Sequence, residues 1–150
     1  MRCWTRRDWR LVKKELRAYT GSRDFEGFAY PETQISLSPR VCAALAELLY
    51  TGSRPSSGRD AFWASASVGV LSHEAQHLLD PAGSEAETEC HGMQNIRTVG
   101  RMLRLDGSYA DFLADAYWTY IYKYHTREYR TPACHDGGPL DAQPSSSVWP

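Results

Sequence analysis

Hydrophobic and polar positions in the first third of the chain predict two helices around a small hairpin. Apolar residues at helical spacing follow a T-x-x-D start, so we expect a helix from about Arg6 to Tyr19. The run TQISLS alternates apolar and polar residues and is predicted to form an antiparallel hairpin with the earlier run FEGFAY. Ser38 then caps a second helix, which begins at Pro39 and ends near Gly52.

The middle of the chain predicts two consecutive helices with a tight break between them. Asp60 is expected to cap a third helix that runs to about Leu79, where the segment DPAG ends it. Ser84 and Glu87 form an S-x-x-E capping box, so a fourth helix follows and continues to about Leu105.

A fifth helix is expected from about Ser108 to His125, because its large apolar residues fall on one face. The residues of this stripe are Tyr109, Leu113, Ala116, Tyr120 and Tyr124. Such a stripe is predicted to be core rather than a cofactor site, since aromatic side chains bury large areas. The chain after Tyr129 is turn-rich, and we expect Trp149 to anchor this tail against the body.

These patterns together predict an α+β fold of about five helices with a small antiparallel β-hairpin. A length of 150 residues suits one domain, which we expect to span 1–130, with 131–150 as an extended tail packed on it. The composition, 42% apolar and 23% charged, is ordinary for a globular protein. A net charge of −1 gives no electrostatic reason to expect nucleic acid or a membrane surface as partner.

The sequence leaves the cellular compartment open. Neither a membrane-spanning run nor a signal peptide is visible, so a cytoplasmic location is the default expectation. The four cysteines form no CxxC pair, which argues against a cysteine-ligated zinc module. They are either free thiols in a reducing compartment or two disulfides of an exported protein. These cysteines are Cys3, Cys42, Cys90 and Cys134.

The segment LSHEAQHLLDPAGSEAETEC carries the candidate chemistry. His73 and His77 are four residues apart on a predicted helix, so one face can offer both imidazoles to a single zinc ion. Glu74 is rotated about 100° from His73 around the helix axis and can take a proton from a water on the metal. This is the HExxH pattern of zinc metallopeptidases. The alternative is a surface helix with two solvated histidines.

A third protein ligand is expected from the following helix. The metzincin pattern requires glycine at position 80 and histidine at position 83, and the chain has Asp80 and Gly83 there. Glu87 is used by the capping box. Glu85 and Glu89 share a helix face, so one can bind the metal while the other accepts a hydrogen bond from a ligand histidine. Packing two antiparallel helices at equal heights favours Glu89 as the ligand.

HEAQH followed by EAETE resembles the HExxH…ExxxD/E pattern of the gluzincin metallopeptidases, which have the zincin fold. More closely, the chain is similar to small uncharacterised HExxH proteins with ISLSPRVC-, SEAETECHGMQ- and CHDGGPLD-like segments. The resemblance implies His73 and His77 as zinc ligands and Glu74 as the catalytic base. It also implies Glu85 as the third ligand and Glu89 as its supporting carboxylate. We prefer this assignment, because tilted helices need not meet at equal heights.

The resemblance further implies a strand, such as Thr33–Leu37, that lies over the site and could pair with an extended peptide. The link from His77 to Glu85 is short compared with the larger gluzincins, which predicts an abbreviated cleft. A downstream histidine or tyrosine is expected to stabilise the developing oxyanion. The candidates that remain open are Tyr117, Tyr122, Tyr124, His125, Tyr129 and His135.

Two functions follow from these expectations. The leading one is zinc-dependent hydrolysis of a peptide or protein substrate by a minimal zincin-like domain, with one zinc ion and Glu74 as base. The alternative is a non-catalytic zincin-like module, in which zinc holds the two helices together and the surface binds a partner protein. The sequence indicates neither the substrate nor the oligomeric state.

Overall fold

The computed structural model describes residues 1–20, 25–30, 34–52 and 58–150. Within these ranges it contains five α-helices and a three-stranded mixed sheet, which confirms the predicted small α+β fold. The helices are α1 (Arg6–Thr20), α2 (Pro39–Thr51), α3 (Gly58–Leu79), α4 (Glu85–Met102) and α5 (Gly107–Tyr120). The strands are β1 (Arg2–Cys3), β2 (Gly27–Tyr30) and β3 (Gln34–Leu37). A 3₁₀ turn, Tyr122–Tyr124, follows α5.

The sheet has the strand order β1-β3-β2. β2 and β3 are antiparallel, with Gly27 opposite Leu37, which confirms the predicted hairpin. β1 adds a parallel strand on the other side of β3, with Arg2 opposite Ser36. The sequence pattern does not predict β1, because two residues are too short to show an alternation. β3 is therefore the central strand, and β2 lies at an edge.

Two of the predicted helix starts have the expected caps. The Ser38 hydroxyl accepts a hydrogen bond from the backbone N–H of Val41 at 3.2 Å, at the start of α2. At the start of α4, the Ser84 hydroxyl accepts from the N–H of Glu87, and the Glu87 carboxylate accepts from the N–H of Ser84. The capping box is thus confirmed, and it sets the position at which Glu85 enters α4.

Three other predicted boundaries are wrong. One is the end of α5, which lies at Tyr120 and not at His125. α3 begins at Gly58, so Asp60 lies in its first turn rather than at the cap, where it still compensates the helix dipole. α4 ends at Met102 instead of near Leu105, because Arg104 takes a left-handed conformation with φ 62° that ends the helix.

The predicted stripe on α5 is only partly core. Tyr109, Leu113 and Ala116 are buried as expected. Tyr120 and Tyr124 are 64% and 79% exposed. For Tyr124 the prediction fails because the 3₁₀ turn after α5 has a different period, which rotates it off the α-helical face. Tyr120 is the last residue of α5, at the end of the stripe.

The core lies where α3, α4 and α5 pack together, with α2 and the sheet against α3. Trp149 packs against this core with its ring centroid 5.8 Å from that of Trp118, which confirms the predicted anchor. Buried apolar side chains from all these elements contribute. Among them are Leu37, Leu45, Val68, Met93, Ile96, Tyr109 and Leu113. No helix in the described ranges has the length and apolar character needed to cross a bilayer.

All four cysteines are paired in disulfides. Cys3–Cys42 joins β1 to α2. Cys90–Cys134 joins α4 to the segment after the 3₁₀ turn, and Cys90 directly follows Glu89 in the sequence. Of the two alternatives that the sequence leaves open, the structure therefore has the disulfides and not the free thiols. The covalent bond at Cys90 also fixes the chain after Tyr129 to the helix that carries the acidic cluster.

Candidate metal centre

α3 and α4 are in backbone contact at the candidate site. A Cβ atom on Gly92 would lie 2.9 Å from the Cα atom of His73, so only glycine allows the two helices to approach this closely. The Ser72 hydroxyl donates to the carbonyl of Gly92 at 2.6 Å. This contact fixes the height of α4 against α3 and thereby the side chains that face His73.

Three potential ligand atoms converge between the two helices. The Nε2 atoms of His73 and His77 are 3.1 Å apart. Oε2 of Glu85 lies 3.2 Å from the first nitrogen and 3.5 Å from the second. In a tetrahedral zinc site with bonds of about 2.0–2.1 Å, neighbouring ligand atoms are separated by about 3.3 Å. The three atoms therefore form a triangle with the size of one face of a zinc tetrahedron.

The triangle is closed on one side and open on the other. The His73 side chain is only 10% exposed, whereas His77 is 22% and Glu85 39% exposed. A metal held by these three atoms would thus be reached from the side of His77 and Glu85. Structural zinc sites are usually enclosed by four protein ligands, while catalytic sites keep one position free.

Glu89 supports the triangle from the protein interior. Its Oε2 lies 2.7 Å from Nδ1 of His73, which is how a carboxylate orients a ligand histidine with Nε2 free for the metal. Its Oε1 accepts a hydrogen bond from the hydroxyl of Tyr117 at 2.5 Å and lies 3.3 Å from Nε2 of His125. The structure thus places Glu85 beside both Nε2 atoms and Glu89 behind His73. The ligand role of Glu85 stays a prediction.

The charges of the cluster are compatible with a cation at the triangle. Burial lowers the pKa of His73, but hydrogen bonds to Glu85 and Glu89 outweigh it and raise the pKa to about 10. Hydrogen bonds from His73 and His77 lower the pKa of Glu85 to about 2. Burial alone would raise the pKa of Glu89, but hydrogen bonds from His125 and His73 lower it to about 2. Both carboxylates are therefore ionised at neutral pH, and the His73 imidazolium neutralises one of their two charges. A divalent cation at the triangle would neutralise both carboxylates and leave the imidazoles neutral, as ligation requires.

Glu74 lies beside the triangle and is itself buried, with 6% of its surface exposed. Burial raises its pKa to about 7, against the opposing charges of His73 and His77. A carboxyl with this pKa can accept and release a proton near neutral pH, which is what a general base requires. The predicted catalytic base is therefore in a suitable environment, while its role in catalysis stays a prediction.

The strand that covers Glu74 is β2 and not the expected one. A Cβ atom on Gly27 would lie 2.8 Å from both Cγ and Oε1 of Glu74, so β2 crosses directly over this side chain. The expected strand was Thr33–Leu37, of which Thr33 lies outside the described residues. β3 (Gln34–Leu37) is paired on both sides only at Ser36 and Leu37, where Arg2 and Cys3 occupy its second edge. Gln34 and Ile35 have no partner in β1, so peptide pairing by the expected strand stays a prediction, and β2 is a second candidate.

Tyr129 is the oxyanion candidate that faces the centre. Its ring centroid is 5.9 Å from that of His73. Burial, with the nearby charge of Glu85 as the next cause, raises the pKa of Tyr129 to about 12, so its hydroxyl stays protonated and able to donate. Tyr117 and His125 are instead engaged with Glu89.

The other three candidates have different surroundings. The hydroxyl of Tyr122 accepts from the backbone N–H of Thr131 at 3.4 Å. Tyr124 and His135 are exposed, and Nδ1 of His135 lies 2.9 Å from the backbone carbonyl of Asp136. These contacts give none of the three a place beside His73, which leaves Tyr129 as the candidate with that position.

Sequence reasoning missed Gly27 and the hydrogen bond from Tyr117 to Glu89. The sequence did carry a signal for Gly27. It lies inside the predicted strand FEGFAY, and a glycine within a strand often marks the close approach of another group. Tyr117 had none, since only the packing of α5 on α4 brings its hydroxyl to Glu89, 28 residues earlier in the chain.

No family model, curated protein or solved structure matches this chain. The resemblance to gluzincins consequently stays a prediction, which rests on the HExxH motif and on the arrangement of the residues around it.

Proposed function

We propose that this protein is a zinc-dependent peptidase with a gluzincin-like centre. The observation that carries the proposal is the triangle formed by Nε2 of His73, Nε2 of His77 and Oε2 of Glu85, with edges of 3.1, 3.2 and 3.5 Å. Two imidazole nitrogens and one carboxylate oxygen are the donor set of a catalytic zinc site with a free fourth position. When bound, zinc supplies Lewis acidity to the reacting groups.

The base in the proposed reaction is Glu74. Water attacks the carbonyl carbon of the scissile peptide bond, and the proton that it loses goes to the Glu74 carboxylate. The same proton then passes to the amide nitrogen as the C–N bond breaks, so Glu74 ends the cycle ionised. A pKa of about 7 suits both transfers.

Two further residues support this reaction. Glu89 holds the ring of His73 through the 2.7 Å contact with Nδ1 and keeps Nε2 directed towards the triangle. The Tyr129 hydroxyl donates a hydrogen bond to the oxygen on which negative charge develops. Its position beside His73 supports that role.

The edge of β2 is the proposed binding strand for the substrate. β2 pairs with β3 on one side, and within the described ranges no strand pairs with its other side. An extended peptide can add to such an edge through backbone hydrogen bonds. Because Gly27 of β2 touches Glu74, a peptide bound there would lie next to the base.

The two disulfides favour an oxidising compartment as the place of action. Disulfides persist in exported proteins and are rare in the cytosol. This supports an extracytoplasmic location over the cytoplasmic default. Liquid chromatography–mass spectrometry of the native protein, with and without reduction, would check the two bonds.

Metal content and the Glu74→Gln variant test the proposal. Native mass spectrometry is expected to find one zinc ion per chain in the unmutated protein and none after His73→Ala with His77→Ala. Glu74→Gln keeps the shape of the side chain and is expected to retain zinc, while hydrolysis of a peptide library falls by at least roughly 10²-fold. Zinc binding without any hydrolysis by the unmutated protein would instead favour the non-catalytic module, with zinc joining α3 and α4.

A further inference from the structure

A cavity of about 660 Å³ lies at the C-terminal end of α5, outside the metal centre. Three cationic side chains and two aromatic ones line it, and none of its lining residues is acidic. The lining residues that matter here are Trp118, Tyr122, Lys123, Arg127, Arg130 and Thr131. The whole chain has a net charge of −1, so this positive cluster is a local feature and not a consequence of composition.

Two of the three cations of this cavity contact groups other than carboxylates. The Lys123 ammonium lies 5.0 Å from the centroid of the Trp118 ring. The Arg130 guanidinium donates a hydrogen bond to the backbone carbonyl of Lys123. In the described part of the chain, Lys123, Arg127 and Arg130 form no salt bridge. Their charge is therefore available to an anionic ligand.

The aromatic side chains provide an apolar surface beside these charges. The rings of Trp118 and Tyr122 are stacked, with centroids 5.3 Å apart and an interplanar angle of 21°. A ligand that combines carboxylates with aliphatic segments would match both halves of the lining. Glutamate-rich polypeptide has this character, because each side chain carries an apolar stem and a terminal charge.

A row of ring contacts connects the cavity to the metal centre. The ring of Tyr122 is 6.5 Å from that of His125, which is 5.8 Å from that of Tyr129. Tyr129 in turn lies 5.9 Å from His73. The segment 122–131 thus has cavity-lining residues at both ends and the oxyanion candidate between them.

We propose that this cavity binds an acidic segment of a polypeptide substrate while another part of the same substrate lies at the metal centre. Binding is inferred from the charge and shape of the cavity, whereas the identification of the occupant as substrate rests on the proposed peptidase function. Three cations around one cavity are complementary to a short acidic peptide. Nucleic-acid binding normally relies on an extended basic surface.

Nuclear magnetic resonance of the full chain tests the site without relying on turnover. The probe is N-acetyl-hexaglutamate amide, titrated into both zinc-loaded and zinc-stripped protein at low ionic strength. We expect the indole N–H signal of Trp118, assigned with a Trp118→Phe variant, to shift in a saturable manner. The shift should weaken as salt is added, because exposed charges are screened.

Charge variants locate the binding. Arg127→Glu with Arg130→Glu should raise the dissociation constant at least about tenfold, since two attractive charges become repulsive. Arg7→Glu with Arg10→Glu changes the net charge equally on exposed residues of α1 and should leave binding within about twofold. If the charge-reversal variant fails to fold, Arg127→Gln with Arg130→Gln replaces it. This variant should also raise the dissociation constant.

The outcomes separate this inference from the proposed function. The acidic-peptide site is overturned if the Trp118 signal does not move. It is also overturned if the Arg127/Arg130 variant binds the peptide as well as the Arg7/Arg10 variant. Two competition results would overturn it as well. One is that a thymidine hexanucleotide binds more tightly than the peptide; the other is that inorganic phosphate displaces the peptide at an equal concentration. Saturable peptide binding that needs Arg127 and Arg130 supports the site, even when the protein hydrolyses nothing and the peptidase proposal has failed.

Discussion

Gly27 of β2 is in direct contact with the side chain of Glu74 on α3. A Cβ atom built on Gly27 would lie 2.8 Å from Oε1 and from Cγ of Glu74, which is closer than non-bonded atoms approach. It would also lie 2.9 Å from Cγ1 of Val70, one turn earlier on α3. The placement of the proposed base therefore depends on a residue that has no side chain at position 27.

The first prediction concerns Gly27→Ala. The added methyl group must displace the Glu74 carboxyl or push β2 away from α3. We expect hydrolysis of a library-selected peptide to fall at least roughly tenfold and stability to fall by about 1–3 kcal/mol, the usual cost of overpacking. Zinc affinity should remain within a few-fold, because the atoms nearest the added methyl group belong to Glu74 and Val70 and not to the three ligands.

Thermal unfolding, zinc competition and peptide cleavage would be measured side by side. Gly107→Ala is the matched control, since a Cβ atom there meets nothing within 4 Å. A Gly27→Ala protein with the hydrolysis and melting temperature of the control would contradict the close contact.

The second prediction separates Glu85 from Glu89. Glu85→Gln changes an atom of the triangle and should nearly abolish zinc retention under mild chelation. Glu89→Gln keeps the shape of the side chain but weakens its hydrogen bond with Nδ1 of His73. Mutation of such a supporting residue typically lowers metal affinity by about 10–100-fold. A competition titration with a fluorescent chelator gives the order. If Glu89→Gln loses zinc more completely than Glu85→Gln, the roles of the two carboxylates are exchanged.

Much of the candidate site could be predicted because its residues are close in the sequence. His73, Glu74 and His77 lie on one helix, and a short break with a capping box fixes where Glu85 begins the next helix. Local rules of helix periodicity and capping are enough to bring these side chains to one place. The expectation of Glu89 as ligand assumes that α3 and α4 pack at equal heights. It does not include the close approach of the two helices at Gly92, which only the tertiary structure reveals.

The surroundings of the site could not be predicted in the same way. The sequence predicts β3 at the site, but β2 is the strand in contact with Glu74, and Arg2–Cys3 pairs with half of the second edge of β3. A strand of two residues carries no alternation that could be recognised. Tyr129 lies in an irregular segment, and its selection among six candidates required ring contacts across more than 50 residues of chain.

The third prediction tests Tyr129 as the donor to the oxyanion. Tyr129→Phe removes only the hydroxyl and should lower hydrolysis by roughly 10²-fold, within the range found when one such donor is removed. The loss should fall on kcat more than on KM, because the hydrogen bond strengthens as charge develops. Zinc affinity should not change.

Tyr124→Phe is the control for this substitution, since Tyr124 is 79% exposed and lies in the same part of the chain. Steady-state kinetics on one cleaved peptide compares the two variants. Equal rates in both would remove Tyr129 from the proposed reaction and leave the oxyanion without an assigned donor.

The last prediction uses the two disulfides as controls for each other. They close loops of similar length, with sequence separations of 39 and 44, so the loss of either should destabilise the fold by about 4 kcal/mol in the chain-entropy description. Their positions differ. Cys90 follows Glu89 directly, and Cys134 ends the segment that holds His125 and Tyr129 beside the centre. Cys3–Cys42 joins β1 to α2 instead.

Replacing Cys90 and Cys134 by alanine should therefore weaken zinc binding and hydrolysis as well as stability, because the segment with Tyr129 loses one of its two fixed ends. Replacing Cys3 and Cys42 should lower the melting temperature to a similar extent, with zinc affinity within a few-fold of the unmutated protein. Both variants would be assayed well below their melting temperatures, so that unfolding does not contribute. Equal losses of zinc affinity in the two variants would show that the Cys90–Cys134 bond acts on stability alone.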